Sequence, residues 1–228
     1  MKKRFYLAVL FLFLLSNTSQ AQKFGIAGIL GANLSQINGD TQRGYKKIGL
    51  ATGLRSIVNL EERWQLHTEL LYSQRGASPS DLRNITINLN YVETPVYLSY
   101  LVSDYESSGI FRVYAGASFG RLIAFETKEI FKGPVGSSDD IEVLYLQDVA
   151  TYFNRNDLGL FAGLQWLPFD DHFGIDFRQT FSANLLFDKN DVGKPIKNES
   201  LRSYFLNIRL FYELNNIGDK KKRKRSRR

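Results

Sequence analysis

The sequence predicts an all-β protein: an eight-stranded antiparallel up-and-down transmembrane β-barrel with a plugged polar lumen. Three observations predict this fold. Between residues 23 and 214, apolar and polar side chains alternate with a period of two in eight segments, as in strands with one apolar face. The connections between segments alternate between long and short, and aromatic residues recur at one end of the apolar faces.

The first four predicted strands each carry an apolar face opposite small or polar residues. Their apolar faces are Phe24, Ile26, Leu30 and Leu34; Ile48, Leu50, Leu54 and Val58; Trp64, Leu66, Leu70 and Tyr72; and Val92, Thr94, Val96, Leu98 and Tyr100. Pro95 in the fourth strand lacks a backbone donor, so we expect one missing ladder hydrogen bond there.

The last four predicted strands continue the alternation. Their apolar faces are Phe111, Val113, Ala115, Ala117 and Phe119; Leu158, Leu160, Leu164 and Trp166; Phe173, Ile175, Phe177 and Phe181; and Tyr204, Leu206, Ile208, Leu210, Tyr212 and Leu214. Gln179 is the one misfit, because its parity places it on the apolar face, and we predict a β-bulge there that re-aims it.

The connections predict which end of the barrel faces the periplasm. Residues 36–46, 76–90, 126–156 and 183–200 form long connections, whereas residues 59–63, 102–109 and 167–172 form shorter ones. Outer-membrane barrels have short periplasmic turns, long external loops and an even number of strands. This pattern predicts that both termini are periplasmic. Alternation alone would equally fit a soluble sandwich or a lipocalin-like barrel.

Aromatic residues separate these alternatives. On the predicted topology, the periplasmic rim carries Phe24, Trp64, Tyr100, Phe111, Trp166, Phe173 and Tyr212. Tyr72, Phe119, Phe181 and Tyr204 form a sparser external girdle. Aromatic rings settle at the level of lipid headgroups, and a soluble barrel has no reason to ring its apolar outside with them. The membrane barrel is therefore favoured.

Charge is concentrated at the two ends of the chain. The 228 residues have a formal charge of +7 and a pI near 9.5. Residues 1–4 carry +3 and residues 219–228 carry +7; subtracting both from +7 leaves −3 for the rest. A nucleic-acid-binding domain would spread its basic residues over a folded face, so no nucleic acid is expected as a partner.

The N-terminus predicts export. A basic start, an apolar stretch at residues 5–15 and small residues at Ser19 and Ala21 predict a signal peptide over residues 1–21, with the barrel at 22–214 and a basic periplasmic tail at 215–228. A retained membrane anchor is the alternative, but eleven apolar residues are short for it. The chain has no cysteine, which excludes disulfides, thiolate chemistry and a lipoprotein anchor.

The inward faces predict what fills the lumen. Glycine, alanine and serine leave room there for eight larger polar residues: Arg55, His67, Glu69, Glu93, Arg112, Asp176, Arg178 and Arg209. Charges excluded from water must pair, so we interpret these as a buried lattice of salt bridges. His67 and Glu69 could suggest acid-base chemistry, but membership of the lattice is favoured, with Arg55 and Arg178 as partners. We predict no enzyme activity, catalytic residues, cofactor or bound metal.

Several motifs support the same fold by resemblance. The run Glu69-Leu70-Leu71-Tyr72-Ser73-Gln74-Arg75-Gly76, followed by Asn90-Tyr91-Val92-Glu93-Thr94-Pro95, resembles the paired signature of the PorT-like outer-membrane β-barrel family common in Bacteroidota. Gly31-Ala32-Asn33-Leu34-Ser35, Tyr114-Ala115-Gly116 and the Leu158-Gly159 and Ala162-Gly163 steps also match. The resemblance covers about residues 23–214. It implies an eight-stranded barrel in the outer membrane of a Gram-negative bacterium, often called porin-like, with no shared catalytic residues.

Two segments outside the predicted strands are candidates for binding. The third long loop is longer than a connector needs, and we expect a hairpin extension or a short capped helix there. Its Asp139, Asp140 and Glu142 could attract Ca²⁺ or simply be solvated. The basic tail comprises Lys220, Lys221, Lys222, Arg223, Lys224, Arg225, Arg227 and Arg228. Its expected partners are peptidoglycan, anionic lipid or an acidic periplasmic protein, with idle solvation as the alternative.

These features favour a structural or adhesion-type barrel acting through its external loops and tail, with outer-membrane lipids around it. The alternatives are a narrow porin for small solutes and a barrel component of a secretion or motility machine. Lipid-modifying catalysis is the least favoured hypothesis.

Overall fold

A computed structural model describes residues 24–38, 45, 47–77, 85–105, 109–129, 150–169, 172–192 and 201–214. These residues form a closed antiparallel barrel in which eight strands pair in chain order and the last strand pairs with the first. The predicted eight-stranded antiparallel up-and-down barrel is confirmed. In the described part of the chain, no helix is long and apolar enough to cross a membrane.

The strands are the main elements of the fold. They are β1 (Phe24–Asn38), β2 (Lys47–Asn59), β3 (Trp64–Ala77), β4 (Ile85–Tyr105), β5 (Gly109–Glu129), β6 (Asn156–Leu167), β7 (Phe173–Ser182) and β8 (Arg202–Glu213). Short 3₁₀ helices at Ala150–Tyr152 and Lys189–Val192 precede β6 and follow β7. We call the end where β1 begins and β8 ends the terminal end, and the opposite end the loop end.

Two strands are longer than the sequence predicted. β4 and β5 each span 21 residues and pair from Ile85↔Glu129 at the loop end to Tyr105↔Gly109 at the terminal end. The predicted connections 76–90, 102–109 and 126–156 were therefore too long. Residues 85–90 do alternate between apolar and polar, so the signal for this extension was present. The pair rises above the other strands at the loop end.

The predicted bulge at Gln179 is wrong. The registers of β7 with β6 and with β8 run through Gln179 without a shift, and its side-chain amide donates to the backbone oxygen of Thr180 at 3.3 Å. Register shifts occur instead between β4 and β5. One lies where Asn90 pairs with Ala124 but Tyr91 pairs with Leu122, which leaves Ile123 as the extra residue.

The outward face has a constant apolar height on five strands. On each of them an aromatic residue at the terminal end is followed, ten positions along the same face, by a polar residue at the loop end, and the side chains between them are uncharged. The pairs are Trp64 and Gln74, Tyr100 and Asn90, Phe111 and Arg121, Trp166 and Asn156, and Tyr212 and Arg202. Ten residues span about 34 Å along a strand, or about 26 Å along the membrane normal at a tilt of about 40°. This height matches the apolar band of outer-membrane barrels.

Candidate functional site

Glycines on the inward face make space for the largest lumen side chains. In the strand register, Gly31 lies opposite Arg209, Gly116 opposite Tyr97 and Gly163 opposite Tyr114. A Cβ atom built at any of these glycines would overlap the facing residue. These three glycines therefore leave room for the larger side chains that face them.

A ring of four charged side chains occupies the middle of the lumen. Arg55 bridges two carboxylates, with Nε 2.9 Å from Glu69 Oε1 and Nη2 2.6 Å from Asp176 Oδ2. Arg209 bridges the same two carboxylates, with Nη1 3.0 Å from Glu69 Oε2 and Nη2 2.9 Å from Asp176 Oδ2. Arg178 contacts the same carboxylate of Glu69 through both terminal nitrogens. Its Nη1 is 3.1 Å from Oε2, and its Nη2 is 3.1 Å from Oε1. We call these five residues the central network.

The central network is buried and held on several sides. Its side chains are 3% or less exposed. Tyr97 donates its hydroxyl to Glu69 at 2.8 Å, and Tyr114 donates to Asp176. The Arg178 guanidinium lies 4.1 Å from the centre of the Phe161 ring. Each carboxylate thus accepts bonds from several donors, which is the condition under which buried charge is tolerated.

A second charged centre lies between the central network and the loop end. Arg75 donates to Asp157 at 2.5 Å and to Glu93, and its guanidinium lies 3.8 Å from the centre of the Phe205 ring. Glu93 was among the predicted lattice residues, whereas Arg75 and Asp157 were not. Both positions were predictable from the sequence, because residues an even number of positions apart on a strand share a face. Arg75 is six positions after Glu69, and Asp157 is two positions before Gly159, and both of these residues are on inward faces.

Motif residues from two strands meet beside Arg75. The side-chain amide of Asn33 donates to Ser73 Oγ and to the backbone oxygen of Gln74, both at 2.8 Å. Ser35 Oγ accepts from the backbone N–H of Gly76 at 2.9 Å. The pairing of β2 with β3 runs from the Ala51↔Ser73 pair to the terminal end. On the loop-end side of that pair, these β1 side chains bond to backbone groups of β3. The motifs that carry the family resemblance therefore have a structural role here.

The remaining predicted lattice residues lie on the same inward face. His67 Nε2 is 2.8 Å from Ser99 Oγ, and its ring stacks on Tyr97 with centroids 4.6 Å apart. Its contacts in the described residues are thus to a hydroxyl and an aromatic ring, while Glu69 does meet both predicted partners, Arg55 and Arg178. Arg112 is buried. No cluster of three or more acidic, histidine or cysteine residues suited to a metal lies within the described ranges.

Apolar clusters lie at both ends of the lumen. At the loop end, Phe153, Leu186, Phe187 and Leu201 are buried against residues of the barrel wall. The segments that carry them are joined by backbone bonds, from Asn154 N–H to the Leu186 oxygen at 2.7 Å and from Leu186 N–H to the Leu201 oxygen at 2.8 Å. A second apolar cluster reaches the terminal end and comprises Ile29, Leu71, Ile110, Leu167 and Phe211.

The predicted aromatic rim lies at the terminal end. The register pairs six of its seven residues across neighbouring strands, namely Trp64 with Tyr100, Phe111 with Trp166, and Phe173 with Tyr212. Phe24 pairs with Val58. The Trp64 and Tyr100 ring centroids are 4.9 Å apart. The predicted signal peptide, the acidic residues of the third loop and the basic tail all lie outside the described residues.

Comparisons with known proteins identify related sequences and folds. The family model described as outer membrane protein beta-barrel domain matches residues 19–188. No curated protein matches the chain. Among solved structures, Ail of Yersinia pestis is 15% identical, with 83% of this chain and 99% of that chain covered and a TM-score of 0.44.

Two further solved barrels are similarly distant. The N-terminal β-barrel domain of OprF from Pseudomonas aeruginosa is 10% identical, with coverage of 86% and 100% and a TM-score of 0.38. Neisserial surface protein A is 11% identical, with coverage of 83% and 96% and a TM-score of 0.39. The family match does not test the narrower PorT-like resemblance, which stays a prediction.

Proposed function

The chain belongs to the family of outer membrane protein β-barrel domains, and we propose that in the outer membrane it is a non-conducting barrel with a structural and binding role at its loop end. The observation that supports this proposal is the set of buried charged and apolar side chains along the lumen. The central network and the Arg75 centre occupy successive levels of the interior, and apolar clusters lie at both ends.

A continuous water path through this interior would require buried ion pairs to separate. Removing one partner of a buried pair costs about 3–5 kcal/mol. The central network contains five arginine–carboxylate pairings that share Glu69 and Asp176. Small eight-stranded barrels also have interiors just wide enough for side chains. These facts favour a closed barrel over a narrow porin.

The loop end offers the surface for binding. There the extended pair of β4 and β5 rises beyond the barrel, and Ile123 and Phe125 on β5 are 56% and 41% exposed. Exposed apolar side chains on the part of β5 beyond its last pair with β6, Arg121↔Asn156, are suited to contact another macromolecule. In this proposal the loop end is external and the terminal end periplasmic, which is supported by the short connections at the terminal end.

Single-channel recording in planar bilayers tests the proposal. The full chain is purified in detergent and its folding is checked by heat-modifiable migration on a gel. We expect no stable conductance steps from folded protein over repeated insertions. Uniform steps that scale with the number of folded barrels inserted would overturn the closed-lumen proposal and favour the narrow porin instead.

The basic tail is proposed to bind an anionic periplasmic partner. Residues 219–228 carry eight basic side chains and one acid, and each basic residue near an anionic surface contributes about 1 kcal/mol. The test compares the full chain with a variant in which the eight basic residues are replaced by glutamine, which keeps the length. Co-sedimentation with peptidoglycan and with anionic vesicles should fall in the variant and with added salt. Equal binding by both proteins would contradict the proposal.

Copurification in mild detergent tests the remaining alternative, a barrel component of a secretion or motility complex. Stable partner proteins that are lost when Ile123 and Phe125 on β5 are substituted would favour that role.

A further inference from the structure

The loop-end boundary of the lipid-facing surface has a distinct chemistry. Five strands end their apolar face there with Gln74, Asn90, Arg121, Asn156 and Arg202. This set contains amides and guanidiniums and no carboxylate. All five lie about 26 Å from the aromatic rim along the membrane normal. This height places them at the level of lipid headgroups.

Arg121 on β5 is held in place by a neutral partner. Its Nη1 donates to Asn156 Oδ1 on β6 at 2.5 Å, and its side chain is exposed. The Asn156 backbone is fixed in turn, because its N–H donates to Asn154 Oδ1 at 3.0 Å and its oxygen accepts from Asn184 Nδ2 at 2.6 Å. Asn156 therefore orients the guanidinium without neutralising its charge.

The acid that directly follows Asn156 in the sequence is directed elsewhere. Asp157 follows Asn156 but faces the lumen, where it accepts from Arg75 at 2.5 Å. Arg155, on the other side of Asn156, is exposed, and its backbone oxygen accepts from Leu122 N–H at 2.7 Å, which places it beside β5. Within the described ranges, neither Arg121 nor Arg155 pairs with a carboxylate.

We propose that Arg121, oriented by Asn156, binds the phosphate of an anionic lipid headgroup. A guanidinium presents a planar fork of donors that matches phosphate oxygens, and it remains charged at any relevant pH. Directly below on the same outward face, Phe119 and Leu158 are exposed. These side chains would contact the acyl chains of the same lipid, which a free phosphate ion lacks.

Native mass spectrometry of the full chain in detergent micelles tests this site. The folded protein is titrated with phosphatidic acid, and inorganic phosphate is added in a separate arm. We expect Arg121→Gln to lower phosphatidic acid binding about five- to tenfold, because one charge-assisted contact is lost. Arg202→Gln removes the same charge at the same level of the lipid face but lies outside the proposed site on β8, so it should change binding less than about twofold.

Three results would overturn the inference. Arg121→Gln and Arg202→Gln could lower binding equally, which would mean that general surface charge is sufficient. Arg121→Gln could leave binding unchanged. Inorganic phosphate could displace phosphatidic acid at equal concentration, which would show that the acyl chains make no contribution. Arg121→Lys provides a second readout, since it keeps the charge but loses the fork and should bind between wild type and Arg121→Gln. Heat-modifiable migration confirms that every variant is folded.

Discussion

Replacing Glu69 with glutamine should destabilise the barrel more than any other single loss of a carboxylate. Glu69 accepts bonds from Arg55, Arg178 and Arg209, and from the Tyr97 hydroxyl. In Glu69→Gln the three guanidiniums keep Asp176 as the one carboxylate of the central network. In addition, the –NH₂ group of the glutamine side chain is a hydrogen-bond donor, and the guanidinium and hydroxyl groups around it are donors as well.

The size of the effect follows from the burial of these groups. Before the change, three positive and two negative side chains share a buried site; afterwards three positive charges share one carboxylate. Removing one partner of a buried ion pair costs about 3–5 kcal/mol. We expect a loss in this range, against a total stability of about 5–15 kcal/mol for a typical domain.

Urea unfolding of the protein in lipid vesicles measures this loss. The two tryptophans of the chain, Trp64 and Trp166, both lie in the aromatic rim and report unfolding by their fluorescence. The matched control is Glu61→Gln, which makes the same chemical change at an exposed position between β2 and β3 and should shift stability by less than about 0.5 kcal/mol.

A double variant tests whether excess positive charge causes the loss of stability. If excess positive charge causes the loss, adding Arg178→Met to Glu69→Gln should recover part of the stability, because one uncompensated guanidinium is removed. A loss of less than about 1 kcal/mol for Glu69→Gln, or no recovery in the double variant, would show that the central network does not have the energetic role assigned to it here.

Three further variants test other parts of the structure. Gly163→Val should abolish the heat-modifiable folded form, because its side chain would overlap the Tyr114 ring; normal folding would mean that the lumen is less tightly packed than described. Ala162→Arg, in the middle of the lipid face, should cost about 2–4 kcal/mol in urea unfolding, whereas Asn156→Arg at its boundary should cost about 0–1 kcal/mol; equal losses would place the boundary elsewhere. Phe187→Ala, in the loop-end cluster, should cost about 3–5 kcal/mol, and a loss within error of wild type would show that the cap does not contribute to stability.

The fold was predictable from the sequence because strand alternation is a local signal. Each face of each strand can be read from residues two positions apart, so the outward apolar residues and the inward charged residues were assigned without knowledge of the pairing. Connection lengths then supplied the up-and-down order. Strand ends were harder, since residues 85–90 alternate in the same way as a strand but follow a segment that looks like a loop.

The specific contacts were not predictable, because they depend on how the strands close into a barrel. Glu69 meets Arg209 although 140 residues separate them, and this contact exists only when β8 pairs with β1. The extra residue at Ile123 exchanges the inward and outward faces for the β5 residues that follow it, and no local sequence pattern indicates this change. Arg75 lies beyond Tyr72 and Ser73, where the alternation of the third predicted strand ended, and just before the connection predicted at 76–90, whereas β3 continues to Ala77.

The accessibility of the lumen to water tests the central claim most directly. The chain contains no cysteine, so single cysteines can be placed at the small inward positions Ser99 and Ser118, and at the exposed Glu61 as a control. Folded protein in vesicles is treated with a water-soluble maleimide. A filled lumen predicts rapid labelling of Glu61→Cys and no labelling of Ser99→Cys or Ser118→Cys until urea unfolds the barrel. Labelling of both inward cysteines in the folded state at the rate of the exposed control would contradict the account.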